Sequence, residues 1–142
     1  MANLSDLDNR MNRLSKKLSG EVNKFVRKVA FIADQNVVFA TPVDTGRARS
    51  NWLVSVNSPV NETIQPYKAG SALGVGEVAN ASAATDQALA ALAGRRNDQD
   101  IYIQNNLVYI SRLNEGHSQQ APANFVQMAV KNAVNTALKI KL

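Results

Sequence analysis

Between Leu4 and Ala40, apolar residues recur at steps of three and four: Leu7, Met11, Leu14, Leu18, Val22, Phe25, Val29 and Ile32. That spacing predicts one long α-helix. Its end is marked too. Pro42 has no N–H to donate and disfavours helical backbone at Thr41, so the helix stops there. Ser5 is the expected N-cap, with Asp6 and Asp8 suiting the positive end of the helix dipole. Gly20 weakens the middle by about 1 kcal/mol relative to Ala and marks a place for a bend or break. A helix of about 35 residues is about 50 Å long, more than one small core covers. Met11, Leu18, Phe25, Ile32 and Phe39 fall at seven-residue intervals. Part of this stripe is therefore expected to pack on another chain, with Met11, Leu14, Leu18, Phe25 and Ile32 as the seam of a homo-oligomer.

The rest of the pattern is mixed. Trp52, Val54 and Val56 alternate with Asn51, Leu53, Ser55 and Asn57, which predicts a strand. Val60 to Ile64 is the candidate hairpin partner. Pro66 to Val78, "PYKAGSALGVGEV", reads as a loop. Ala81 to Gly94 reads as an Ala-rich helix, with Thr85 as a cap for its second half and Gly94 closing it. Asp100 to Asn105 is a second strand. Tyr109 to Asn114 is a short helix that ends at Gly116. Pro122 suits the first turn of a last helix, running to about Leu138, with Phe125, Met128, Ala129, Ala133, Ala137 and Ile140 as its apolar face. The expected fold class is α+β in a single domain over residues 1–142. A long N-terminal helix fills residues 1–41. A body over residues 42–142 carries a small, mostly antiparallel β-sheet, an Ala-rich middle helix and a C-terminal helix.

Several function classes lose support. The chain has no cysteine, which excludes a disulfide framework, a cysteine nucleophile and thiolate metal sites. Its one histidine, His117, gives little for metal binding, since zinc sites draw on several His or Cys ligands. No metal and no cofactor is expected. No apolar run approaches the roughly 20 residues that span a bilayer, so no membrane partner is expected. "MANLSDLDNR" has no apolar stretch behind a basic start and does not read as a secretion signal. Net charge is +5, and seven of the sixteen basic residues lie between Arg10 and Lys28, against the single acid Glu21. Such a run attracts polyanions, although a solvated helix face has the same composition.

The stretch "TPVDTGRARSNW", Thr41 to Trp52, contains Asp44-Thr45-Gly46, the tripeptide that carries the catalytic carboxylate in aspartic proteases. A half-size protease of that kind dimerises so that two carboxylates share one proton. The surroundings argue against it. Such proteases are almost wholly β, whereas Asp44 follows a long helical pattern. Arg47 stands where a small residue is usual, and a cation there favours an ionised Asp44. The same residues make a helix-to-strand corner without chemistry. Pro42 sets φ, Asp44 accepts backbone N–H groups in an Asx turn, and Gly46 tolerates φ > 0.

"ATPVDTGRARSNW" resembles the signature that opens the body of a phage virion family, the neck or tail-completion proteins of long-tailed bacteriophages, similar to minor tail protein Z. A second block, "IYIQNNLVYISRLNEGHSQQAPANFVQMAV" from Ile101 to Val130, is similar to the family's closing pattern. Asn105, Asn106, Tyr109, Leu113, Glu115, Gly116, Ser118, Gln120, Ala121, Pro122 and Val126 fall in order. Ala48 departs from the commoner Leu, Asn114 is inserted between Leu113 and Glu115, Phe125 replaces Met, and no proline precedes Tyr109. The resemblance implies a structural virion protein with no catalytic group. It implies a ring, expected to have six subunits after the sixfold symmetry of the tail, at the head–tail junction around the DNA channel. There it finishes the tail and enables head–tail joining, after assembly in the host cytoplasm. Its partners would be further copies of itself and the head-completion and tail-terminator or tube proteins, with non-specific contact to genomic DNA.

Within that reading, Pro42, Asp44, Thr45, Gly46, Arg47, Arg49, Trp52, Asn106, Tyr109, Glu115, Gly116 and Pro122 are the motif residues. Glu115 is a candidate partner for Arg47 or Arg49, within one chain or between chains. Trp52 is expected in the core, and His117 is expected to be a turn residue. A basic nucleic-acid-binding protein is the alternative function. The direction in which Arg10, Arg13, Lys17, Lys24 and Lys28 point discriminates between the two.

Overall fold

The computed structural model describes residues 3–42, 46–68, 77–116 and 121–140. The expected helix is present as α1, Leu4–Ala40, and runs unbroken through Gly20. Its N-cap is Asn3, not Ser5: the Asn3 side chain accepts from Asp6 N and the Asp6 side chain accepts from Asn3 N, a reciprocal box. Two residues, one at each end of the first turn, satisfy two otherwise open donors. At the other end Thr41 is extended, with φ −70 and ψ 132, as the following proline requires.

A short helix that the sequence did not announce, α2 at Arg47–Ser50, precedes the first strand, β1 at Trp52–Val56. The middle helix α3 spans Glu77–Ala93, starting four residues earlier than expected. Thr85 lies inside it, with its hydroxyl donating to Ala81 O and Ser82 O rather than capping a second half. Strand β2, Ile101–Asn105, pairs antiparallel with β1 in the register Trp52 with Asn105 and Val56 with Ile101. Helix α4, Ile110–Asn114, and helix α5, Phe125–Ala137, complete the chain. Pro122 lies three residues before α5, so it is not in the first turn. Asn124, at φ 63, holds the N-cap position instead.

The sheet has two strands. Val60 to Ile64 is not a third strand. Amide side chains hold this segment where a ladder would have. Gln104 Oε1 accepts from Val60 N at 2.8 Å, and Asn106 Nδ2 donates to Val60 O and Glu62 O. Asn51 bonds both the N–H and the C=O of Ile64. The remaining edge of β1 is closed in the same way, because Gln87 of α3 accepts from Val54 N and donates to Val54 O. Buried backbone groups need partners; here long-range Asn and Gln side chains supply them.

The core is small-residue packing. Val37, Val38, Trp52, Ala81, Ala84 and Ala129 form one cluster, and Val54, Ala88 and Leu92 another. The C-terminal half of α1 packs against α3, the sheet and α5; Asn36 Nδ2 donates to Ala129 O. Its buried residues Asp34, Val37, Val38 and Thr41 lie about 100° or more around the helix from the seam of Met11, Leu14 and Leu18, at 3.6 residues per turn. The stripe read from the sequence is therefore not the face that meets the sheet. On α5 the buried face is Phe125, Ala129, Ala133 and Ala137, while Met128 is exposed.

Candidate functional site

Four features stand out: the corner after α1, the α4–α5 junction, the N-terminal half of α1, and Asp34.

At the corner, Asp44 and Thr45 lie outside the described residues. The parts on either side are defined. Gly46 has φ 83, and a Cβ there would fall inside the van der Waals shell of Asn80 Nδ2. Asn80 is fully buried. Its Oδ1 accepts from Ser50 Oγ and Lys68 N, and its Nδ2 donates to Lys68 O. Gly46 is thus required twice, by conformation and by space. Arg49 is buried and turns back over the end of α1. Nε donates to Thr41 O at 3.0 Å and an Nη donates to Phe39 O at 3.1 Å, with the guanidinium 6.0 Å from the Phe39 ring centre. A cation on the last carbonyls of a helix suits its dipole. Trp52 is in the core at 6% exposure, and its Nε1 donates to Thr41 Oγ at 2.7 Å. The described residues on either side of Asp44 are thus a long helix, a helical turn and a core tryptophan, unlike the almost wholly β setting that a protease requires.

Arg47 and Glu115, offered as partners from the two motif blocks, lie at the start of α2 and at the end of α4. Arg47 is half-buried with its Nε unpartnered, and Glu115 is exposed at the end of α4. Tyr109 is the N-cap residue of α4. Gly116 has φ 98 and ends the turn. His117, Ser118 and Gln120 lie outside the described residues. Asn114, the insertion, has a structural role. Its side chain accepts from Val126 N at 3.0 Å and donates to Gln127 Oε1 at 2.8 Å, and its C=O accepts from Asn124 N. Asn124 makes no side-chain cap of its own, so Asn114 caps α5 from a distance.

The N-terminal half of α1 carries the seam. Met11, Leu14 and Leu18 are 60%, 66% and 60% exposed, and Leu4, Leu7 and Val22 are exposed as well. Phe25 and Ile32, nearer the body, are half-buried within the chain. Leu4, Leu7, Met11, Leu14 and Leu18 follow steps of 3, 4, 3 and 4, the a/d pattern of helices that pack on other helices. The basic residues do not interrupt it. Arg10, Arg13, Lys16, Lys17, Lys24, Arg27 and Lys28 fall within an arc of about 120° centred about 130° from the seam. A second surface, of mixed character, lies between the end of α1 and α5, where the exposed Phe39 and Met128 sit with Ala40 and Pro122 among the polar Asn36, Asn132 and Thr136.

Asp34 was missed in the sequence. It is 0% exposed, and neither carboxylate oxygen has a hydrogen-bond partner. Burial pushes its pKa up from 3.8 to about 7. The Tyr67 phenol is raised as well, by burial first and then by the charge of Asp34. The available signal was a lone acid on a face that carries Val37 and Val38 three and four residues on.

Among the described residues, no group of three or more His, Asp or Glu side chains could hold a metal ion. No described helix is long and apolar enough to cross a membrane.

Comparison with known proteins gives one result. A family model described as "Bacteriophage HK97-gp10, putative tail-component" matches residues 5–116. The match runs from the first turn of α1 through α4 and includes the corner and the bare half of α1. Neither the curated proteins nor the solved structures gave a match. Since residues 5–116 are most of the 142-residue chain, the chain belongs to the HK97-gp10-like family of bacteriophage proteins.

Proposed function

We propose that this phage tail component acts as a neck or tail-completion protein. In this reading it forms a ring, of six subunits, at the head–tail junction around the DNA channel and makes the tail competent to join the head. The observation that carries the reading is the bare apolar seam on the N-terminal half of α1. A ring needs heterologous contacts, in which two different surfaces of one chain meet. The seam is one such surface. The groove beside Phe39 and Met128 is the other, displaced from the seam along α1 by at least about 20 Å at 1.5 Å per residue. Burying six seam side chains at about 1.5–3 kcal/mol each gives roughly 10 kcal/mol or more. That is comparable with the cost of association, so a seam without a receiving groove would be marginal.

Absolute mass by light scattering tests this. The expected species is near six times 15.4 kDa, and a Leu7→Gln/Leu14→Gln variant is expected to be monomeric. A stable dimer would overturn the ring, and a monomer at every concentration would overturn self-assembly through the seam. An inter-chain pair of Arg47 with Glu115 fits the same ring. Arg47→Glu and Glu115→Arg are each expected to weaken assembly, by severalfold, and the double variant is expected to recover it. Absence of mutual rescue would discard the pair.

A further inference from the structure

We infer that the basic arc of α1 is a contact surface for the phosphate backbone of duplex DNA, read without regard to sequence. Between Arg10 and Lys28 the helix advances about 27 Å at 1.5 Å per residue. Over that length Arg10, Arg13, Lys16, Lys17, Lys24 and Lys28 are exposed, and Arg27 is half-buried with an Nη donating to Ala93 O. Ordinary solvated helices interleave acids with bases at i, i+4 spacing; this segment has only Glu21, which borders the seam. Asp6, one turn before Arg10, is engaged in the capping box.

The arc also lies on the side toward which the body is folded. Lys24, Arg27 and Lys28 wall a groove against α3, floored by Leu89 and Leu92. The turn after α3 rests on α1, because Arg95 Nη donates to Asn23 Oδ1 and Asn97 Nδ2 donates to Ser19 O. That turn carries one further cation, Arg96, and two acids, Asp98 and Asp100, all exposed. The projecting half of α1 and the end of α3 thus bound an inner corner in which bases outnumber acids.

A rod of cations this long matches a polyanion with regularly spaced charge. An anionic membrane surface is the competing fit for a basic amphipathic helix. Three features disfavour it. The cations flank the apolar seam on one side only. Their centre is about 130° from the seam, at 3.6 residues per turn, too far for both to meet one plane. The end of α3 rises beside the exposed Lys24 and Lys28, so a flat surface cannot lie along the whole arc. Phosphate contact through the arc leaves the seam free for protein, so the two surfaces act independently.

The test is fluorescence anisotropy of the full chain with two unrelated 30-base-pair duplexes over a salt series. Six engaged phosphates give a slope of log affinity against log salt near −5, at about −0.9 per phosphate, equal for both duplexes. Arg10→Gln/Arg13→Gln/Lys16→Gln/Lys17→Gln lies on the half of α1 that does not pack on the body. It is expected to reduce affinity at 50 mM salt by more than tenfold and flatten the slope by about 3 to 4. The seam variant Leu7→Gln/Leu14→Gln is expected to lose self-association yet keep the slope per subunit, which separates this surface from the assembly reading. No duplex binding at 50 mM salt would overturn the inference. So would a slope unchanged in the quadruple variant, a slope lost in the seam variant, or capture on phosphatidylserine vesicles without duplex binding.

Discussion

Gly46→Ala is expected to destabilise the chain by about 3 kcal/mol or more, although it adds a single methyl group. At φ 83 an alanine is in the left-handed region, which costs about 1–2 kcal/mol. The larger part comes from Asn80. The new Cβ displaces its amide, and the amide ties Ser50 and Lys68 to α3 at this corner. It holds three hydrogen bonds in a fully buried place, and buried groups left unsatisfied cost about 1–3 kcal/mol each. Urea unfolding, followed by a shift of the midpoint at constant m, measures the loss. In an Asn80→Ala background the same Gly46→Ala change should cost only the backbone part, about 1–2 kcal/mol. Equal cost in both backgrounds would show that Asn80 is not the reason.

Asp34→Asn should work in the opposite direction. The folded chain holds the Asp34 proton up to about pH 7, whereas an ordinary aspartate releases it near 3.8. Between those values the folded state binds one more proton than the unfolded state. Stability is therefore greatest below pH 4 on this account, falls as pH rises toward 7, and is level above it. At about 1.4 kcal/mol per pKa unit the fall is on the order of 4 kcal/mol. Asp34→Asn has no proton to release. Its stability should be nearly flat from pH 4 to 7 and should exceed that of the parent at pH 7. A parent-like pH slope in Asp34→Asn, followed by urea unfolding at each pH, would assign the dependence to other groups. A carboxyl retained at such a cost, with no partner and opposite the Tyr67 phenol, is unusual for a purely structural position.

Much of the fold could be read in the sequence because it is written locally. Period 3.6 over 37 residues identifies α1, and Pro42 ends it. Period 2 identifies β1, and Ile101 to Asn105 gives β2. These signals depend on neighbours within a turn or a strand. The Val60 to Ile64 segment shows where local reading stops. Its residues look like a strand, but the groups that hold it are Asn51, Gln104 and Asn106, and the amides of Asn and Gln give no local signal of the backbone they will meet. Asn114 is similar: it departs from the family pattern in sequence, and only the fold brings it to the start of α5.

The candidate site divides in the same way. The seam at Met11, Leu14 and Leu18 and the basic run from Arg10 to Lys28 were visible as periodicity and charge. Which face of α1 is covered was not, because a helix with apolar residues on two faces gives one merged pattern. Composition, spacing and the two motif blocks by themselves determined a long amphipathic helix, an α+β body and the phage family. Tertiary packing alone decided that α1 buries Asp34, Val37 and Val38 against the body and leaves Leu4 to Leu18 bare. It also set the body against the Lys24 to Lys28 end of the cation arc and placed Arg49 on the carbonyls that end α1. The physical reason is that burial and long-range hydrogen bonding are properties of what packs against a residue, and a linear pattern shows only what the residue offers.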